Sequence, residues 1–167
     1  MARKKASKSK DPDALSPRIV NRRARHDFHV LEKLEVGIVL QGSEVKSVRN
    51  GQVSLAEGFA RIDPAGTELW LHNVHIAEYR NAHGPNSHDP VRPRKLLAHK
   101  REISRLAGQS STQGRTLVPL AMYFSRGKVK LELGLATGKK QYDKRQDLKT
   151  RDANREIQRA MTRKRLG

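Results

Sequence analysis

The chain has 167 residues, no cysteine, and 35 Lys+Arg against 17 Asp+Glu, a formal net charge of +18. That length suits one domain with a real core, and 4% aromatic residues keep the core small and mostly aliphatic. The composition excludes disulfide scaffolds, thiol nucleophiles and cysteine-bound zinc, and no apolar run approaches the ~20 residues of a bilayer span.

What remains is a soluble, cationic, cytoplasmic protein whose leading partner is a polyanion. The charge is regional: residues 1–25 carry +7, residues 26–90 carry −4, residues 91–137 carry +8 and residues 138–167 carry +7. A slightly acidic block between basic ones implies a positive face or end, the pattern of an oriented nucleic-acid binder.

Met1 to Lys5 is basic without an apolar stretch behind it, so it does not read as a secretory signal. Ala2 to Pro17 is rich in Lys, Ser, Asp and Pro, and residues 1–20 read as a disordered basic arm. Asn21, Arg22, Arg25 and His26 form a cationic leading segment with hydrogen-bonding and stacking capacity. A folded domain is expected over residues 21–137, compact between about Ala24 and Thr137. Phe28 to Leu40 supplies one or two strands. Ser43 is placed to N-cap a short helix with Val45 and Val48 on one face, Lys46 and Arg49 elsewhere, and Gly51 as its stop.

Ala56 to Ile62 and Glu68 to Ile76 read as a hairpin across Asp63-Pro64-Ala65-Gly66. His72 and His75 then point to opposite faces of one strand. His26 and His29 lack a carboxylate pair at ligand spacing, and His83 and His88 sit in a Gly/Pro/Asn loop. Exposed or hydrogen-bonded imidazoles account for all six, and no metal is assigned. Lys95 to Leu106 reads as a longer helix, with Leu96, Ile103, Leu106 and Ala107 near one stripe and Gly108 as the stop. Lys95, Lys100 and Arg101 stay outside, where they can meet phosphates. Leu97 lies about 100° from Leu96 on such a helix and need not share its buried stripe.

Thr116 to Phe124 and Lys128 to Ala136 form a second hairpin around Ser125-Arg126-Gly127. Val129, Leu131, Leu133 and Leu135 alternate with polar residues, while Pro119 requires an edge or a bulge. Gly134 to Lys140 misses a phosphate loop by one residue and puts Lys140 where a hydroxyl is needed, so it reads as a strand exit. Carboxylates are scattered and no serine stands in a Gly-x-Ser-x-Gly elbow; no enzyme, cofactor or small-molecule substrate is called for. Residues 138–167 read as a basic tail. A helix from Leu148 to Arg165 would extend roughly 27 Å, but Ala153, Ile157, Ala160 and Met161 make too thin a stripe to dock it. Its ordering waits for a charged partner. Several short strands with two or three helices give a mainly β fold, a small oligonucleotide-binding-like β-barrel with packed helices.

Five collinear stretches carry a resemblance: Asn21 to Asp27, Gly37 to Gly51 (GIVLQGSEVKSVRNG), Pro93 to Ile103 (PRKLLAHKREI), Thr116 to Leu120, and Gly138 to Arg145 (GKKQYDKR). Together they resemble the small protein B family, the SsrA-binding or transfer-messenger-RNA-binding proteins of bacteria, from about Asn21 to Arg155. The resemblance implies a barrel that holds the tRNA-like domain of transfer-messenger RNA and stands in for its missing anticodon arm. It implies a partner in the stalled ribosome, where the tail lies in the vacant mRNA channel at the decoding centre, and no covalent chemistry. By the same resemblance Asn21, Arg22, Arg25, His26, Glu35, Gly37, Glu44, Lys46, Lys95, Leu97, His99 and Lys100 lie at or near RNA. Gly138, Lys139, Lys140, Tyr142, Asp143, Lys144 and Arg145 form the ribosome-facing start of the tail. On the residues alone, Glu35 is equally a strand-surface charge, and Glu44 and Lys46 equally a surface ion pair or a helix cap. A ribosomal or ribosome-assembly RNA-binding protein is the alternative with the same charge, barrel and tails.

Overall fold

The computed structural model describes residues 16–80 and 87–140, together with Asp143 and Met161. The elements are β1 Ile19–Val20, α1 Arg22–Asp27, β2 Phe28–Ile38, α2 Gly42–Arg49, β3 Val53–Ser54, β4 Phe59–Ile62, β5 Leu69–His72, β6 His75–Ile76, β7 Arg94–Leu97, α3 Lys100–Ser110, β8 Arg115–Ser125 and β9 Lys128–Gly138. The arm before residue 16, His83, Tyr142, Lys144, Arg145 and all of the proposed tail helix except Met161 lie outside the described residues.

The strands close on themselves. Their order runs β8-β4-β5-β7-β2-β9, and β9 returns to pair with β8, every pairing antiparallel. β1 extends the β8 edge, with Ile19 opposite Met122, and β3 pairs with β6 apart from the barrel. The β8–β9 turn uses Arg126 at φ 51° and Gly127 at φ 73°, the two positive values that a two-residue hairpin loop demands. The β4–β5 turn is held by Asp63, whose carboxylate accepts from the Thr67 and Glu68 N–H groups at 2.7 and 2.6 Å.

β9 alternates without interruption: Val129, Leu131, Leu133 and Leu135 enter the barrel core, and Ala136 faces a second cluster outside it. Both neighbours of β9 must shift to serve the two clusters. β8 slips register between Pro119 and Ala121, so Val118 and Leu120 face outward while Met122 and Phe124 face inward. β2 slips between Val30 and Glu32, so Phe28 and Val30 belong to the outer cluster and Leu34 and Val36 to the core. An extra residue reverses which face a strand buries. Ala24 of α1 seals the outer cluster, and Val48 of α2 with Ile103 and Leu106 of α3 join the core. Gly134 makes room for Leu120: a Cβ there would stand 2.8 Å from Leu120 Cδ1, and that buried side chain would have to shift.

Four expectations change. Lys95 to Leu106 is not one helix: Arg94 and Leu96 are buried, Lys95 and Leu97 point away, and this period of two makes β7 the strand that bridges β5 and β2. The helix starts at Lys100 and passes through Gly108 to Ser110. Ser43 does not cap α2. The cap is Gln41, whose N–H donates to Glu44 at 2.7 Å, while the Ser43 hydroxyl meets His88 Nδ1 at 2.9 Å. Glu68 to Ile76 is two strands, broken at Asn73 with φ 55°, so His72 and His75 belong to different sheets. Ordered pairing begins at Ile19, before the folded region expected from the sequence.

Candidate nucleic-acid interface

One row of residues crosses four strands on the outside of the barrel. Leu97 of β7 lies opposite Gly37 of β2, Gly37 opposite Lys130 of β9, and Lys130 opposite Tyr123 of β8. Leu97 is 53% exposed beside Leu96 at 2%, the split that strand alternation produces. Gly37 leaves the space that Leu97 needs, since a Cβ there would lie 3.1 Å from Leu97 Cβ. Between them opens a groove of about 410 Å³ lined by Gly37, Ile38, Leu40, Val45, Leu97, Lys128 and Lys130. An apolar floor with a lysine rim offers a base or sugar a surface and its phosphate a cation.

Glu35 stands two residues before Gly37 on the same outer face, half-exposed. Tyr123 donates its hydroxyl to Glu35 Oε2, and Lys130 Nζ lies 3.5 Å from Oε1. The Tyr123 hydrogen bond, helped by Lys130 against some loss of hydration, holds the Glu35 carboxyl below its ordinary value. Glu35 in turn pushes the Tyr123 phenol up to about 12. Arg18 stacks 4.5 Å above the Tyr123 ring and reaches Glu132 at 2.5 Å, with Lys33 at 3.1 Å from the same carboxylate. The acid is therefore held by Tyr123, ionised and set beside Lys130, able to accept from a base amino group inside a positive surface.

Two expected surface residues are interior. Glu44 is fully buried: Oε1 accepts from Arg94 Nε at 2.8 Å and Arg92 Nε at 2.9 Å, and Oε2 from Arg92 at 2.5 Å and the Gln41 N–H. Burial pushes its carboxyl up, but the bonds from Arg92, Gln41 and Arg94 outweigh this and hold it low. Every oxygen is spoken for, so both the RNA-facing and the surface-pair readings of Glu44 give way to the helix cap. Asn21 is also buried. Its side chain caps α1 at Ala24 N, and its Nδ2 donates to the Leu55 and Pro119 carbonyls at 2.7 and 2.9 Å, pinning α1 to the barrel.

The other expected residues reach solvent. Lys46 lies 5.0 Å over the Tyr79 ring, and Lys95 binds Glu68. His99 caps α3, its N–H donating to Glu102 at 2.9 Å, and Lys100 follows exposed. Arg22 and Arg25 are exposed on α1, while His26 leans on Asp27 at 3.0 Å. The chain returns to this helix as β9 ends. Beyond the exposed Gly138, Lys139 donates its N–H to Asp27 O at 2.8 Å and its Nζ to Arg25 O at 3.1 Å. The Lys140 N–H donates to Asp143 at 3.3 Å, and Asp143 lies 3.8 Å from His29. The tail's start thus joins α1 at one end of β9, about 26 Å along the strand from Lys130.

Sequence reading missed Tyr123, Lys130, Arg18, the buried Arg94 and the half-buried Arg92. Lys130 was visible as the polar half of β9, but the β8 slip hides the face of Tyr123. Among the described residues no group of three or more His, Cys, Asp or Glu could hold a metal ion, and no helix is long and apolar enough to cross a membrane.

The family model of the SmpB protein matches residues 18–163. The SsrA-binding protein of Saccharopolyspora erythraea is 58% identical over 147 residues, 88% of this chain and 91% of that protein. The SsrA-binding protein of Thermobifida fusca is 51% identical over 166 residues, 99% of this chain and 100% of its own length. A solved chain described as "tmRNA-SmpB: a journey to the center of the bacterial ribosome" superposes with a TM-score of 0.64 at 50% identity, covering 75% of this chain and 87% of that one. The match begins one residue before β1, runs through the barrel and continues into the tail, and on it this chain belongs to the SmpB family.

Proposed function

We propose that the chain binds the tRNA-like domain of transfer-messenger RNA and delivers it to stalled ribosomes for trans-translation in the cytoplasm. Its role is binding, not catalysis. The observation that carries the reading is the row Leu97–Gly37–Lys130–Tyr123 with Glu35 beside it: an apolar groove, a fixed acid and flanking cations on one outer face. RNA sits on this row, and the protein fills the place of an anticodon arm. Arg22, Arg25, His26 and the residues from Gly138 onward form the other end, and the segment through Tyr142, Asp143, Lys144 and Arg145 enters the empty mRNA channel at the decoding centre.

Truncation tests the division of labour. The core strand ends with Leu135 and Ala136, so a chain stopped after Lys140 keeps its barrel. It is expected to retain most affinity for the tRNA-like RNA in a gel shift and to lose tagging in a reconstituted stalled-ribosome assay. Normal tagging by the truncated chain, or loss of RNA binding in step with tagging, would sink the two-part scheme.

A further inference from the structure

The outer face of the neighbouring strands carries a feature that the row does not use. Leu69 and Leu71 are fully buried, so Trp70 and His72 of β5 point outward. Trp70 lies opposite Arg61 of β4 on one side and Lys95 of β7 on the other, an aromatic between two cations. One step along, Phe59 stacks on His72 with ring centroids 5.3 Å apart and planes 17° from parallel. The Trp70 indole is held at its edge: Nε1 donates to Glu68 Oε2 at 3.1 Å, and the other Glu68 oxygen takes the Lys95 ammonium. Three other rings already carry a cation. Arg18 covers Tyr123, Lys46 covers Tyr79 and Arg49 covers Phe124, whereas among the described residues no cation or ring lies over Trp70.

We infer that Trp70 is a stacking platform for an unpaired base, flanked by Arg61 and Lys95 for the adjoining phosphates. A half-buried aromatic on an outer face, held at its edge and flanked by cations, can bind an unstacked nucleotide without reading its sequence. The surface is continuous with the row above: Lys95 and Leu97 share an outer face of β7, about 7 Å apart along the strand. The occupant is therefore the same RNA that lies on Leu97 and Gly37, and the inference rests on that reading of the row. Glu68 works as a positioning group, holding the indole and Lys95 in one plane of approach.

Trp70 is the only tryptophan, so the unmodified full-length chain reports on itself. The probe is the isolated tRNA-like domain of transfer-messenger RNA, titrated while tryptophan emission and a gel shift are read in parallel. Emission is expected to fall saturably with the midpoint of the gel shift. Trp70→Leu is expected to weaken binding about tenfold while Trp70→Phe keeps most of it, with circular dichroism confirming both folds. Unchanged emission in a shifted complex, or undiminished affinity in folded Trp70→Leu, overturns the platform and leaves the row standing. Loss of emission with a ribosomal RNA fragment but not with the tRNA-like domain also overturns it, because the occupant is then another RNA. Absence of any shifted complex removes the row and the platform together.

Discussion

Glu35 and Glu44 stand nine residues apart and both hold their carboxyl groups below the ordinary value, yet the regions around them do opposite work. At the α2–β7 junction, Glu44 is buried with Arg94 and saturated by Arg92 and the Gln41 N–H. On the outer row, Glu35 is half-exposed and touched on one side by Tyr123 and Lys130. The first arrangement has no oxygen left for a partner, and separating it strands charge in a low-dielectric interior. The second is solvated, contributes little to folding and keeps acceptor capacity beyond what Tyr123 and Lys130 take. A depressed carboxyl therefore does not by itself mark a binding site; desolvation and remaining capacity decide.

The largest expected effect comes from breaking the buried side. Glu44→Ala leaves a fully buried guanidinium without its carboxylate and is expected to cost about 3–5 kcal/mol, a large share of the ~5–15 kcal/mol of a typical domain. Urea unfolding measures it, and a loss well under 1 kcal/mol would contradict the arrangement. The pH dependence has a definite sign. Because the folded carboxyl lies below 4.5, its contribution is complete above that value and is lost as pH falls through the lower folded value. Stability of the native chain should therefore fall more steeply than that of Glu44→Gln below about pH 4.5.

A smaller loss is expected at Asn21, where one side chain caps α1 and satisfies two buried carbonyls. Asn21→Ala should cost about 1–3 kcal/mol. It should also speed amide hydrogen exchange in α1 before it does so in β9. Uniform exchange across both would mean that α1 is not held as a separate unit.

These contrasts mark what the sequence could and could not convey. β9 was legible because Val129, Leu131, Leu133 and Leu135 keep one period, and the Asp63–Gly66 and Arg126–Gly127 turns were legible because few residues tolerate their conformations. Arg94 was not legible. A basic residue in Pro93-Arg94-Lys95 reads as surface until Glu44, fifty residues away, is brought against it. The same blind spot misplaced Glu44 and turned β7 into part of a helix, since Leu96 and Leu97 suit either period. The slip in β8 falls at Pro119, where the proline called for an edge or a bulge; Tyr123 stayed hidden because that signal left the choice between the two open, and with it the face of every residue beyond.

On the exposed side, Leu97→Asn is expected to weaken binding of the tRNA-like RNA about tenfold while changing stability by no more than ~0.5 kcal/mol. Filter binding beside thermal unfolding separates the two, and matched losses would move Leu97 from the interface into the fold.

The finest test removes one oxygen. Tyr123→Phe keeps the ring under Arg18 but deletes the donor to Glu35, so the Glu35 carboxyl should rise toward 4.5. Lys130 remains at 3.5 Å, so the return should be incomplete. Folding stability should move by ~0.5 kcal/mol or less, because the pair is solvated. In the native chain Glu35 stays ionised below its ordinary value, so any affinity it confers should persist to lower pH than in Tyr123→Phe. Carboxyl NMR titration of the free protein and RNA titrations across the acid range read both halves. The phenol gives the reciprocal check. Its value of about 12 reflects the same bond, so Glu35→Gln should let Tyr123 ionise nearer 10.0, seen as an earlier ultraviolet transition. If both groups titrate unchanged in the two variants, the bond does not exist in solution, and Glu35 would face RNA as a free strand-surface charge, with no partner fixing its orientation.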